Sequence, residues 1–289
     1  MARSIYIASP EGHTGKSTIA LGLVDLFVRR VERVGIFRPV VQAGGRDNVL
    51  ELLLSHDGVD LDYDDCVGVT YDEVHADENA ALSRIVDRYH AVAQHSDIVL
   101  VVGSDYTDVA GPAELAFNGR VATNLGSPVL LTVRALDRST EEVAQLIDIA
   151  SGELRSAHAS VAAVAVNRCA PDQLEDVRAA LSGLEVPVWT FPEIPLLSAA
   201  TMADLVDALD GTLIAGNPEL LSREAESILV CGMNVEHILP RLADGQLAIA
   251  AGDRSEVLIA LAAAHASQNF PSLAGVVLNG GFQPNADVH

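Results

Sequence analysis

One lysine stands among the 18 basic residues of this 289-residue chain, and its neighbours give it a task. Lys16 sits in Ser9-Pro10-Glu11-Gly12-His13-Thr14-Gly15-Lys16-Ser17-Thr18, between the apolar stretches Ile5-Tyr6-Ile7-Ala8 and Ile19-Ala20-Leu21-Gly22-Leu23-Val24. A strand, a glycine-containing loop ending in Gly-Lys-Ser and then a helix is the order in which backbone N–H groups cradle phosphate oxygens. A compact ammonium fits such a loop where a forked guanidinium is too wide. Gly12, His13, Thr14, Gly15, Lys16, Ser17 and Thr18 are therefore candidate cofactor-binding residues, for ATP or another nucleotide with Mg2+. The Ser17 hydroxyl is a candidate ligand of that ion.

The loop departs from the full G-x-x-x-x-G-K-[ST] pattern, because Pro10 occupies the first glycine position. Pro10 removes one N–H from the nest, and Glu11 adds a negative charge beside it; both changes weaken phosphate affinity. Hydrolysis needs a second acid at the end of the apolar run Ile98-Val99-Leu100-Val101, where the chain places Val102 instead. Asp105 and Asp108 follow just beyond, and Asp47, after the turn Gly44-Gly45-Arg46, is a further candidate metal ligand. No residue is assigned a catalytic role. Further on, Val164-Ala165-Val166-Asn167-Arg168-Cys169 puts Asn167 and Arg168 at the C-terminal end of a strand, where open α/β sheets bind ligands. The Asn167 amide can pair with an adenine edge or simply form the turn before Pro171, so Asn167 and Arg168 join the candidate cofactor-binding set.

These residues must be held at the ends of strands. Continuous Val, Ile and Leu runs predict strands at 4–8, 34–37, 98–102, 129–133, 161–166 and 186–189. Helical patterns at 16–33, 78–95, 139–157 and 172–181 alternate with them, which implies a parallel sheet with right-handed crossovers. After Phe191-Pro192-Glu193-Ile194-Pro195 and a short helix at 201–209, a second α/β series begins. Its strands are expected at 227–230, 247–250 and 274–278, and its helices at 235–242 and 255–266. The fold class is α/β: a P-loop NTPase-like domain over 1–210, then a smaller α/β domain over 211–289. No helical pattern follows the strand at 274–278, so the second domain reads as cut off at its C-terminal end.

Composition narrows the partners. Forty acidic residues against 18 basic ones give a net charge of -22, which repels nucleic acid and anionic membranes. No apolar run is long enough for a membrane span and no signal-peptide pattern opens the chain, so a cytoplasmic protein is expected. Cys66, Cys169 and Cys231 are far apart and odd in number, which suggests reduced thiols rather than a disulfide or zinc framework. The nine histidines form no i, i+4 metal-binding pair. Cys231 and Trp189 read as core residues, and residues 60–65 as an exposed acidic loop.

Taken together, the opening loop, Phe37-Arg38-Pro39-Val40, Val102-Gly103, Val166-Asn167-Arg168 and Leu278-Asn279-Gly280-Gly281 resemble the N-terminal half of the long form of bacterial phosphate acetyltransferase. In that family a dethiobiotin synthetase-like domain precedes a DRTGG domain, and the acetyl-transferring domain comes last. The resemblance implies a regulatory and homo-oligomer-supporting region that senses a small phosphate-bearing metabolite, in a parent that converts acetyl-CoA and phosphate to acetyl phosphate and CoA. It also exposes substitutions: Val102 replaces the metal-binding glutamate, Arg38 replaces a lysine beside the substrate, and Asp253-Arg254 continues as Ser255-Glu256. Asp253 then reads as the N-cap of the helix that follows. The alternative is a stand-alone ATP-dependent carboxylase or ligase of the dethiobiotin synthetase type. Partition-type ATPases place a second lysine where this chain has Glu11.

Overall fold

The computed structural model describes residues 3–104, 112–267 and 269–284. The chain forms two compact units, Met1–Glu193 and Ile194–His289. Residues 194–210, assigned to the first domain from sequence, fall in the second unit by this division.

In the first unit the elements run β1 (Arg3–Ala8), α1 (Lys16–Val28), β2 (Val34–Val41), α2 (Asn48–Leu54), β3 (Val67–Thr70), α3 (Tyr71–Ala76) and α4 (Glu78–Gln94). They continue with β4 (Ile98–Val102), α5 (Pro112–Leu125), β5 (Val129–Arg134), α6 (Thr140–Ser156), β6 (Val161–Cys169), α7 (Leu174–Ala180) and β7 (Val188–Pro192). The seven strands form one parallel sheet in the order β3-β2-β4-β1-β5-β6-β7. Each face buries its own apolar cluster, because parallel strands with crossover helices have no solvent side. Tyr6, Phe37, Val99, Val101 and Leu131 belong to one cluster, which also takes in Ile85, Val121 and Ile147 from α4, α5 and α6. Ile7, Ile36, Leu100, Val102 and Leu130 belong to the other, with Ala20 and Val24 of α1 and Leu50 and Leu53 of α2. This second face carries the candidate site.

Several features escaped the sequence pattern, helices α2, α3 and α5 among them. β2 continues four residues past the apolar run, through Arg38 and Pro39, because Arg38 is buried and paired rather than solvated. β3 is only four residues long and contains Gly68, so it leaves no apolar signature. A Cβ at Gly68 would run into the Pro39 carbonyl, so only glycine lets β3 lie this close to β2. Trp189 corrects its expected place in the core: it is 50% exposed. β7 is the outer strand of the sheet, with β6 as its one paired neighbour, and the Trp189 ring faces outward there.

The second unit contains α8 (Met202–Ala208), β8 (Ser227–Val230), α9 (Val235–Ile238), β9 (Gln246–Ala251), α10 (Ser255–Ala266) and β10 (Gly275–Asn279). Its parallel three-stranded sheet has the order β10-β9-β8. Thr201 and Asp204 form a capping box that starts α8. The core of this unit packs Ile238 of α9 and Val257 and Leu261 of α10 with Ala248 and Ala250 of β9, and it includes Cys231, as expected. Asp253 is not the cap of α10. Arg254 holds that position without a side-chain cap bond, and its guanidinium goes instead to Glu256 and the Met233 carbonyl. Among the described residues no helix is long and apolar enough to cross a membrane.

Candidate phosphate-binding site

Loop 9–15 leaves the C-terminal end of β1 and enters α1 through Gly15, whose φ of 75° lies in the left-handed region. A Cβ there would collide with the Asn167 amide nitrogen, so glycine is required both by the turn and by the close approach. No side chain caps α1, and no acid stands in its first turn. The first N–H groups of a helix have no intrahelical acceptor, so this end of α1 presents donors and a partial positive charge.

The strand ends around the loop hold it from behind. Asn167 Nδ2 donates to the Thr14 carbonyl at 2.8 Å, and Arg168 Nη1 donates to the His13 carbonyl at 3.1 Å. In a trans peptide the N–H opposes the C=O. With both carbonyls tied toward β6, the N–H groups of Thr14 and Gly15 point away from it. Arg168, itself at φ 58°, forms a two-bond pair with Glu193 at 2.7 and 2.9 Å. Asn167 thus braces the loop with its amide nitrogen, and the Arg168 guanidinium is committed to Glu193 and His13.

Glu11 does not leave an uncompensated charge beside the loop. Arg138 grips both of its oxygens at 2.6 Å and also donates to the Arg134 carbonyl. The Glu11 carboxylate holds the Arg138 guanidinium above its usual pKa, against the opposing effect of burial.

Lys16 is 4% exposed and folds back over the end of β4, donating from Nζ to the carbonyls of Gly103 at 2.5 Å and Ser104 at 3.0 Å. Arg38 reaches the same place from β2. Its Nη1 donates to Val102 O at 3.1 Å and to Gly103 O at 2.5 Å, and its Nε pairs with Asp47 at 3.1 Å. Arg38 and Asp47 are 2% and 4% exposed, a buried ion pair. Asp47 also caps α2, its Oδ1 accepting from the Leu50 N–H at 2.8 Å, so the carboxylate expected to bind metal is taken up by Arg38 and a helix end. Val102 is 1% exposed and packs into the apolar cluster beneath α1. Asp105 and Asp108 lie outside the described residues.

Several residues at the site were not singled out from sequence. Ser9, Thr14 and Thr132 hydroxyls and Arg134 Nε are buried without hydrogen-bond partners. Ser9 lies one residue beyond the Ala8–Leu131 register pair, level with Thr132, and Arg134 pairs in register with Asn167. Strand alternation places Thr132, Arg134 and Asn167 on the face that carries α1. Glu11 was the available clue to Arg138, since a carboxylate within a phosphate loop calls for a cation to offset it. Nothing in the sequence points to Thr132.

A family model described as AAA domain matches residues 3–210. The chain belongs to this AAA-domain family. A model described as DRTGG domain matches residues 204–289 behind the AAA domain. Over 98% of its length the chain is 29% identical to a phosphate acetyltransferase of Synechocystis sp., and over its whole length 26% identical to that of Nitratidesulfovibrio vulgaris. It spans 42% and 43% of those relatives, matching the two-domain N-terminal portion of a long-form enzyme. Among solved structures it is similar to the septum site-determining protein MinD from Pyrococcus horikoshii, complexed with Mg-ADP, at 16% identity and a TM-score of 0.45. That match covers 68% of this chain and 84% of MinD. The signal recognition particle receptor FtsY from Elizabethkingia anophelis, in complex with GDP, matches at 18% identity and a TM-score of 0.45, covering 67% of this chain and 58% of FtsY.

Proposed function

We propose that this chain is the ligand-sensing, assembly-supporting region of a phosphate acetyltransferase, without the acetyl-transferring chemistry itself. In this reading the AAA-domain loop, Gly12 to Thr18 with Asn167 and Arg168 behind it, takes the phosphate group of a small metabolite or nucleotide, ATP among them. One observation supports it most: the His13 and Thr14 carbonyls are tied to β6, which turns the next two N–H groups outward at the uncapped start of α1. The parent would work as a homo-oligomer in the cytoplasm, and the net charge of -22 supports partners other than nucleic acid or anionic lipid. A division at 1–210 and 211–289 is supported by the overlap of the two family models over 204–210, while the compact units part at Glu193.

The test is an assay of the purified chain with acetyl-CoA and phosphate beside calorimetry with ATP. Saturable ATP binding that Lys16→Ala weakens at least tenfold, with no acetyl phosphate formed, is the expected result. Acetyl phosphate turnover by the chain alone would overturn the non-catalytic reading. ATP hydrolysis coupled to carboxylation of a diamine would favour the stand-alone ligase.

A further inference from the structure

Among the described residues, the Mg2+ that accompanies nucleotides in phosphate loops has the Ser17 hydroxyl as a candidate ligand, and no carboxylate stands beside it on β4. A hard dication needs oxygen ligands, chiefly carboxylates. At the end of β4 the chain offers the Val102 isopropyl group, packed into the core. Both Asp47 oxygens are engaged, one by Arg38 and one by the Leu50 N–H. No cluster of three or more His, Cys, Asp or Glu side chains suited to a metal occurs among the described residues. Two cationic side chains converge on the same carbonyl instead, with Lys16 Nζ and Arg38 Nη1 each 2.5 Å from Gly103 O. A dication placed there would face the Lys16 ammonium and the Arg38 guanidinium at close range in a water-poor setting, with the Asp47 carboxylate offsetting one of the two charges.

From this arrangement we propose that the loop holds its phosphate-bearing ligand without a divalent cation, with Arg38 and Lys16 supplying the positive charge that a metal would bring. The inference rests on the phosphate reading of the loop and specifies the form of the ligand: a metal-free oxyanion, such as inorganic phosphate, a phosphate monoester or an unchelated nucleotide. Arg38 suits this role better than lysine. Its fork holds Asp47 through Nε and the β4 carbonyls through Nη1, so the charge is fixed in place before a ligand arrives. Arg38 is then the residue that sets the metal independence of the site.

Calorimetry with ATP on the wild-type chain, once in EDTA and once in excess Mg2+, separates the possibilities. Affinity in EDTA equal to that in Mg2+ within twofold, or tighter, is expected, since Mg2+ would only withdraw free ATP. Affinity that improves more than twofold on adding Mg2+ overturns the metal-free proposal and leaves the phosphate reading intact. Flat titrations in both buffers overturn the phosphate reading and this proposal with it. The paired change Arg38→Met with Asp47→Asn removes both charges together, so that neither is left buried alone, while Asn can still cap α2. That variant should lose at least tenfold in ATP affinity in EDTA, and unchanged affinity would remove Arg38 from the site. Should it fail to fold, the wild-type comparison still decides.

Discussion

At the scale of single residues, the loop is stabilised less by its own sequence than by the charges placed against it. Glu11 looks harmful to a phosphate site until Arg138 is seen on both its oxygens. Arg38 reads from sequence as a substitution for a lysine beside the substrate, and the structure surrounds it with Asp47 and two carbonyls. Arg138 turns an apparent defect of the loop into a brace, and Arg38 ties Asp47 to the end of β4. The three orphaned hydroxyls of Ser9, Thr14 and Thr132 work the other way, because a buried polar group without a partner costs about 1–3 kcal/mol. Thr132 is 0% exposed on β5. Replacing its hydroxyl with a methyl in Thr132→Val should therefore stabilise the ligand-free chain by about 1 kcal/mol. Denaturant unfolding measures this directly, and a loss of stability would mean that the hydroxyl has a partner.

At the scale of elements, the sheet was legible because its strands are buried on both faces and read as unbroken apolar runs. β4 lies where the pattern puts it, at Ile98–Val102; β8 in the second unit, Ser227–Val230, also matches its expected span, although Ile228 and Val230 are exposed. α10 matches its expected span, Ser255–Ala266, although its cap does not. Legibility failed where an element was short or its burial was polar, and also at α5, a 14-residue helix with a buried apolar face. β3 has four residues, and α2 is set by an aspartate that serves an ion pair as much as a helix end. The site divides along the same line. Lys16 and Gly15 belong to a contiguous motif, and Asn167 was visible as a strand-end amide. Arg138 lies 127 residues from Glu11, and Glu193 lies 25 residues from Arg168. Such partners are fixed by topology, and local periodicity carries no trace of them. Trp189 shows the same limit in reverse, since an apolar type says nothing about whether its strand is the outer one.

At the scale of the whole molecule, ionisation links stability to pH on the alkaline side. Burial pushes the Cys66 thiol up to about 12, with Asp65 and Asp62 adding to the effect, and burial also raises Cys169 and Cys231. Burial raises the Tyr6 phenol too. An unfolded thiol ionises near pH ~8.5, so above that value the unfolded chain binds fewer protons than the native one. Stability therefore falls as pH rises from about 8.5 toward the folded values, by up to about 1.4 kcal/mol per pH unit for each thiol. Thermal melts between pH 7.5 and 10 should show a declining Tm, and a flat profile would contradict the burial of these groups. The loop itself is tested most directly by amide hydrogen exchange with and without ATP. If the backbone around residues 12–17 cradles a phosphate, ATP should slow exchange in the peptides covering the loop and the first turn of α1, and Lys16→Ala should abolish the slowing. Unchanged exchange in those peptides at ATP concentrations that saturate binding would contradict the account.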